Sequence, residues 1–223
     1  MAKRILIIAP HPDDEVLGCG GVIRKFANQG FKVFVLIASR GSSKLYDQQK
    51  VENVRIEAWE AHKRLGVTET YFLEYPAPEL DTIALADISR DFSRIIAENK
   101  IDILFLPHRG DIHSDHKAVF NAGIVAARPV GNNSVKEIYC YETLSETEWA
   151  APFADHAFIP NYFVNIDDTI SEKKEALQCF KSQMREFPNP RSLDTIDALA
   201  KFRGSTVGFQ HAEAFMIIRQ IIC

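Results

Sequence analysis

Short apolar runs alternate along the chain with longer stretches in which apolar positions recur three or four residues apart. Residues 4–10 read as a buried strand of Ile, Leu and Ala, and 32–38 as another made almost wholly of Val, Phe, Leu and Ile. Between them Val16, Val22, Ile23, Phe26 and Ala27 share one face of a helix over 15–29, with Asp13 or Asp14 placed to cap it and Gly30 to close it. The alternation continues with a helix over 48–65 closed by Gly66, a short strand at 71–73, a helix over 82–99, a strand at 103–107 and a helix over 115–127. Strands near 137–141 and 162–166 and a helix from 171 to about 185 follow. The stretch 187–208 carries Pro188 and Pro190 and then a short helix, a pattern that fits a loop-rich flap or a packing arm equally. Strands that are apolar throughout and alternate with helices predict an α/β fold, a Rossmann-like, mainly parallel sheet with helices on both faces. Such sheets bind ligands at the C-terminal ends of their strands. The 223 residues suit one domain, 1–223.

Composition narrows the function classes. Apolar residues make up 46% and charged residues 25%, and the net charge is −4, so no electrostatic footprint for nucleic acid or a membrane surface is expected. No stretch approaches the roughly 20 apolar residues that span a bilayer, and the apolar run 5–9 is too short for a secretory signal. Cys19, Cys140, Cys179 and Cys223 are scattered and read as reduced, mostly buried thiols of a cytoplasmic protein.

Two clusters carry chemistry. His11-Pro12-Asp13-Asp14-Glu15 follows the first strand, and His108-Arg109-Gly110-Asp111-Ile112-His113-Ser114-Asp115-His116 joins a later strand to a helix. Imidazole and carboxylate suit Zn²⁺, which in catalytic sites commonly takes three protein ligands and leaves one position open. A helix starting directly after the Asp pair favours ionised carboxylates there. Composition does not tell the adjacent Asp13 and Asp14 apart; their side chains point in different directions, so one ligates and the other faces the open position.

The stretch Ala9-Pro10-His11-Pro12-Asp13-Asp14-Glu15-Val16-Leu17-Gly18-Cys19-Gly20-Gly21 closely resembles the opening motif of the LmbE/PIG-L family of N-deacetylases, and His113-Ser114-Asp115-His116 resembles its second motif. Arg55-Ile56-Glu57, Tyr141-Glu142-Thr143, Lys173-Lys174 and Ala212-Glu213-Ala214-Phe215 resemble further blocks, so the similarity runs nearly the full length. The resemblance implies a zinc-dependent hydrolase that removes an N-acetyl group from an amino sugar, a small-molecule substrate. Zinc would be bound by His11, Asp14 and His116, with Asp13 as general base. His113 would stabilise the oxyanion or protonate the leaving nitrogen, the oxyanion role requiring a protonated imidazole. Arg55 would contact substrate hydroxyls, and self-association is common among such enzymes. The loop Arg109-Gly110-Asp111 lacks the Tyr-Gly of some members, and some relatives carry Asn at the position of His113.

Among the other residues, Asp111 and Asp115 are candidates to orient ligand histidines. Arg40 and Arg109, in loops at the site's edge, read as substrate contacts or surface charges. His108 ends a strand near the site, His62 and His156 read as surface residues, and Trp59 and Trp149 as core or interface. Gly18, Gly20 and Gly21 fall inside the first helix and read as close packing. They also leave one competing function, a sugar-nucleotide-binding transferase without hydrolytic zinc.

Overall fold

The computed structural model describes residues 2–130 and 135–222. The strands β1 (Arg4–Ala9), β2 (Lys32–Gly41), β3 (Glu69–Ala77), β4 (Ile103–Pro107), β5 (Glu137–Tyr141), β6 (Tyr162–Asn165) and β7 (Ala212–Gln220) form one sheet. Their order is β3-β2-β1-β4-β5-β7-β6. The first five strands run parallel, and β7 lies antiparallel to both β5 and β6. The helices are α1 (Asp14–Asn28), α2 (Gln48–Leu65), α3 (Leu85–Asn99), α4 (Ser114–Ala126), α5 (Ile170–Leu177) and α6 (Leu193–Ser205).

β1 explains the layering. Ile5, Ile7 and Ala9 face one core with α1, α2, α5 and α6, while Leu6 and Ile8 face a second core with α3 and α4. All five are fully buried, so beyond Arg4 at its start neither face of the strand has a polar position, as a central parallel strand requires. The chain runs from β1 outward to β2 and β3 on one side, then returns to place β4 on the other side of β1. The strand order therefore reverses between β1 and β4, and the crevice beyond their C-terminal ends is where an open α/β sheet binds ligands. Both histidine clusters leave the sheet there.

α1 packs unusually close. A Cβ on Gly18 would stand 2.3 Å from the Tyr141 ring, and one on Gly21 2.8 Å from Ile166. Packing thus accounts for these glycines, and the sugar-nucleotide-binding alternative drawn from them does not fit. The Gly21 and Val22 N–H groups donate to Glu213, and Lys173 donates to both Glu213 and the Leu17 carbonyl. This buried ion pair, hydrogen-bonded on both sides to the backbone of α1, pins the helix, and the residues at its head, to β7.

Several expectations change. β3 extends well beyond residues 71–73, and β7 was not read from the pattern at all. The helix expected over 171–185 ends at Leu177, and a run of turns follows it. The stretch 187–208 holds a 13-residue helix, α6, capped by Ser192. Trp59 and Trp149 are each 55% exposed and belong to no core. Cys19 and Cys140 are buried free thiols and Cys179 is half-buried; Cys223 lies outside the described residues. No helix among the described residues is long and apolar enough to cross a membrane.

Candidate metal centre and active site

His11 leaves the end of β1, and the chain turns through Asp13 into α1. Asp13 stands at the N-cap position, but its side chain does not cap the helix. Its φ is 114°, a conformation that costs a non-glycine residue about 1–3 kcal/mol and persists where the surroundings over-determine it. The Asp13 N–H donates to Glu15 Oε2 at 3.2 Å, and Glu15 Oε1 pairs with His62 Nε2 at 2.9 Å. His62, expected at the surface, is 2% exposed and its Nδ1 meets Thr70. It shares a helical face with Ala58, Ala61 and Leu65, all buried, and that spacing was the signal that could have revealed it.

His11, Asp14 and His116 converge, each offering one ligand atom within 4.8 Å of the others. Asp14 Oδ2 lies 3.2 Å from His11 Nδ1 and 3.3 Å from His116 Nε2. The outer nitrogens are held by carboxylates: His11 Nε2 is 3.0 Å from Asp115 Oδ2, and His116 Nδ1 is 2.7 Å from Asp111 Oδ2. Asp111 accepts in turn from Thr147, and Asp115 from the Leu80 N–H. This places Asp111 and Asp115 where carboxylates orient metal-binding imidazoles.

The trio fits a metal. His116 Nε2 and Asp14 Oδ1 are buried and have no hydrogen-bond partner, and such orphaned groups cost about 1–3 kcal/mol each unless something meets them. A second grouping, His11, His113 and Asp115, is also close enough to hold an ion, but there the facing atoms of His11 and Asp115 already bond each other. Charge points the same way. Burial raises Asp14, yet His116 and His11 hold it well below the usual carboxylate range. Burial lowers the two imidazoles, yet Asp115 and Asp14 lift His11 to about 9, while Asp14 and Asp111 lift His116 to about 10. The carboxylates thus draw positive charge onto the site, which a divalent cation supplies while releasing the protons.

Of the trio, His11 lines a cleft of about 730 Å³, together with Asp13, His113, Arg55, Glu146 and Arg191, among others, within the usual range for small-molecule sites. Burial pushes Asp13 up to about 8 against the pull of Arg191, with Asp14 and Glu15 adding to the rise. Burial likewise lifts Glu146 to about 7. The ring of His113 stands 4.7 Å from that of His11, centroid to centroid. Its Nδ1 accepts the Asp115 N–H at 3.1 Å; a backbone N–H only donates, so the ring proton sits on Nε2. Burial and then the His11 charge also lower its pKa. A neutral His113 therefore offers an N–H donor, and the expectation of a protonated ring is revised.

The remaining candidates separate. Arg55 lines the cleft, bonded to Glu74 and the Leu73 carbonyl, with its Nε unpartnered. Arg40 also lines it, paired with Glu52 and Glu74. Arg109 is turned away: its guanidinium donates to the Asp155 carbonyl, and it is not a lining residue. His108 is buried against the His156 carbonyl, outside the metal trio. Arg191 and Glu146 were missed; they reach the cleft from distant parts of the chain and carry no local motif.

A Rossmann-like sheet with a two-histidine, one-carboxylate trio at its switch point defines an α/β protein whose side chains could hold a metal ion. Residues 6–127 match the PIG-L family, described as GlcNAc-PI de-N-acetylase, and the chain belongs to that family; it is a hydrolytic N-deacetylase. It is 26% identical over 226 residues to the diacetylchitobiose deacetylase of Thermococcus kodakarensis, covering 97% of this chain and 83% of that protein. It is 30% identical over 187 residues to the uncharacterized deacetylase YaiS of Escherichia coli, covering 81% and 91%. The structure of N,N'-diacetylchitobiose deacetylase from Pyrococcus horikoshii superposes with a TM-score of 0.76 at 24% identity, covering 98% of this chain and 84% of that one. That likeness speaks for the fold.

Proposed function

We propose that the protein hydrolyses the N-acetyl group of an amino sugar or N-acetylglucosamine conjugate, releasing acetate and a free amine. It would use a zinc ion held by His11, Asp14 and His116, and act in the cytoplasm. The observation that carries this reading is the pair of unpartnered buried atoms on Asp14 and His116 beside a cleft lined by Asp13 and His113. The substrates named for the Thermococcus and Pyrococcus proteins support the choice of amino sugar.

A zinc ion lowers the pKa of water and polarises an acyl oxygen. Asp13 takes a proton from the attacking water and delivers it to the amine nitrogen as the C–N bond breaks. His113 donates its Nε2–H to the acyl oxygen as negative charge builds there. The proton for the leaving group thus comes from Asp13, and His113 is assigned the oxyanion. Asp111 and Asp115 hold the two imidazoles in their tautomers. Arg55, which lines the cleft, meets sugar hydroxyls.

The test is acetate release from N-acetylglucosamine and N,N'-diacetylchitobiose. Release is expected to stop on chelation and to return with zinc. A zinc-loaded preparation that frees no acetate from a panel of N-acetylated amino sugars removes the reading. His113→Ala is expected to keep zinc and lower kcat about 100-fold, the cost of one oxyanion donor, with little change in KM. A rise in KM alone would make His113 a substrate contact and place the donor elsewhere.

A further inference from the structure

Arg191 lies outside both histidine clusters and outside the stretch matched to the family. A turn sets it: its N–H donates to Asn189 Oδ1 at 2.9 Å, the next N–H donates to the Asn189 carbonyl at 3.0 Å, and Ser192 then caps α6. From there the guanidinium enters the cleft. Nη1 donates to Asp13 Oδ2 at 2.8 Å across 178 positions of sequence. Nε donates to Ser145 Oγ at 2.8 Å, Nη1 also reaches Gln183 Oε1 at 3.3 Å, and Nη2 stands 3.8 Å from Glu146. Ser145 holds its hydroxyl there from a left-handed backbone, φ 73°. The Asp13 carboxylate, 4% exposed, has no other hydrogen-bond partner among the described residues.

We propose that Arg191 is a positioning residue for Asp13. This rests on the reading of Asp13 as the general base. Apart from Arg191 no hydrogen bond among the described residues fixes the carboxylate, since it neither caps α1 nor bonds a backbone group. A planar fork held by Ser145 and Gln183 takes up Oδ2 in one fixed direction and leaves Oδ1 for the proton transfer. Lys offers a single point charge and does not reproduce that set of bonds. The turn before α6 thereby gains a role that the pattern of prolines did not reveal.

The experiment is a double-mutant cycle on the full, zinc-loaded chain, with kcat, KM, zinc content and melting temperature measured for Arg191→Ala, Arg191→Lys, Asp13→Asn and the double variant Asp13→Asn/Arg191→Ala. Misplacing a reacting group by about 1 Å costs about 100-fold. Arg191→Ala is therefore expected to lower kcat roughly 10- to 100-fold, keep zinc and leave KM within about twofold. Arg191→Lys, which keeps a charge beside the buried carboxylates and so guards against misfolding, is expected to recover only part of the rate. In the Asp13→Asn background the loss from Arg191→Ala is expected to vanish, because two groups acting through one step are not additive. An equal loss in both backgrounds, or a raised KM with kcat intact, overturns the proposal and makes Arg191 a substrate contact. Full activity in Asp13→Asn alone removes the general-base reading itself, and that result is visible before the cycle is completed.

Discussion

Asp13→Asn is expected to fold, to bind about one zinc and to lose about 10²- to 10⁴-fold in kcat, the range for a missing general base. Asn is nearly isosteric and tolerates positive φ better than most residues, so the strained turn at φ 114° survives. Its amide oxygen still accepts from Arg191. What it lacks is the ability to take a proton at neutral pH. As the proposed base, Asp13 works only when ionised, so the native rate is expected to rise with pH as Asp13 deprotonates; that acidic limb is expected to flatten in the variant. Zinc content and kcat measured on one preparation decide the matter. An active variant with full zinc moves the base to another group, Glu15 or Asp115 being the next to test. A variant without zinc makes Asp13 a ligand and exchanges its role with that of Asp14.

His116→Ala is expected to lose both the metal and all measurable turnover. His116 is fully buried, with Nδ1 fixed by Asp111 and Nε2 pointing at Asp14 without a bond of its own. Removing it takes away one of three ligands and also leaves the buried Asp111 Oδ2 without its partner, a further cost of about 1–3 kcal/mol. The melting temperature should therefore fall even for protein prepared without metal. Elemental analysis checks the first part, and full zinc content in the variant would remove His116 from the site.

Much of this was legible in the sequence because it is local. β1 and β4 announce themselves as wholly apolar runs, and the residues that follow them directly, 11–15 and 108–116, carry the histidines and carboxylates. A motif that needs only a strand end and a helix start survives without knowledge of the rest of the fold. β7 was missed because residues 212–220 mix Glu, Arg and Gln into an apolar run, and the strand runs antiparallel to both of its partners, β5 and β6, against the direction of the parallel set. Arg191 was invisible for a stronger reason. Its meaning depends on a side chain 178 positions earlier, and no periodicity in residues 187–208 encodes that approach. Arg109 lies close in sequence to His113, but the loop turns its guanidinium towards the Asp155 carbonyl. His62 falls between these cases, since the apolar spacing of α2 marked its face as inward and the polar type of the residue obscured it.

With Asp13 as the proposed general base, its backbone (φ 114°) sets stability and turnover against each other at a single position. Glycine would relieve the conformation imposed there, and a chain selected for thermal endurance alone would gain by adopting it. Only a lineage under continuing demand for catalysis has reason to keep a carboxylate at so uncomfortable a site. The strained aspartate thus works as a record of selection: relatives that have stopped turning over substrate should shed it early, well before the buried strands that carry it begin to change.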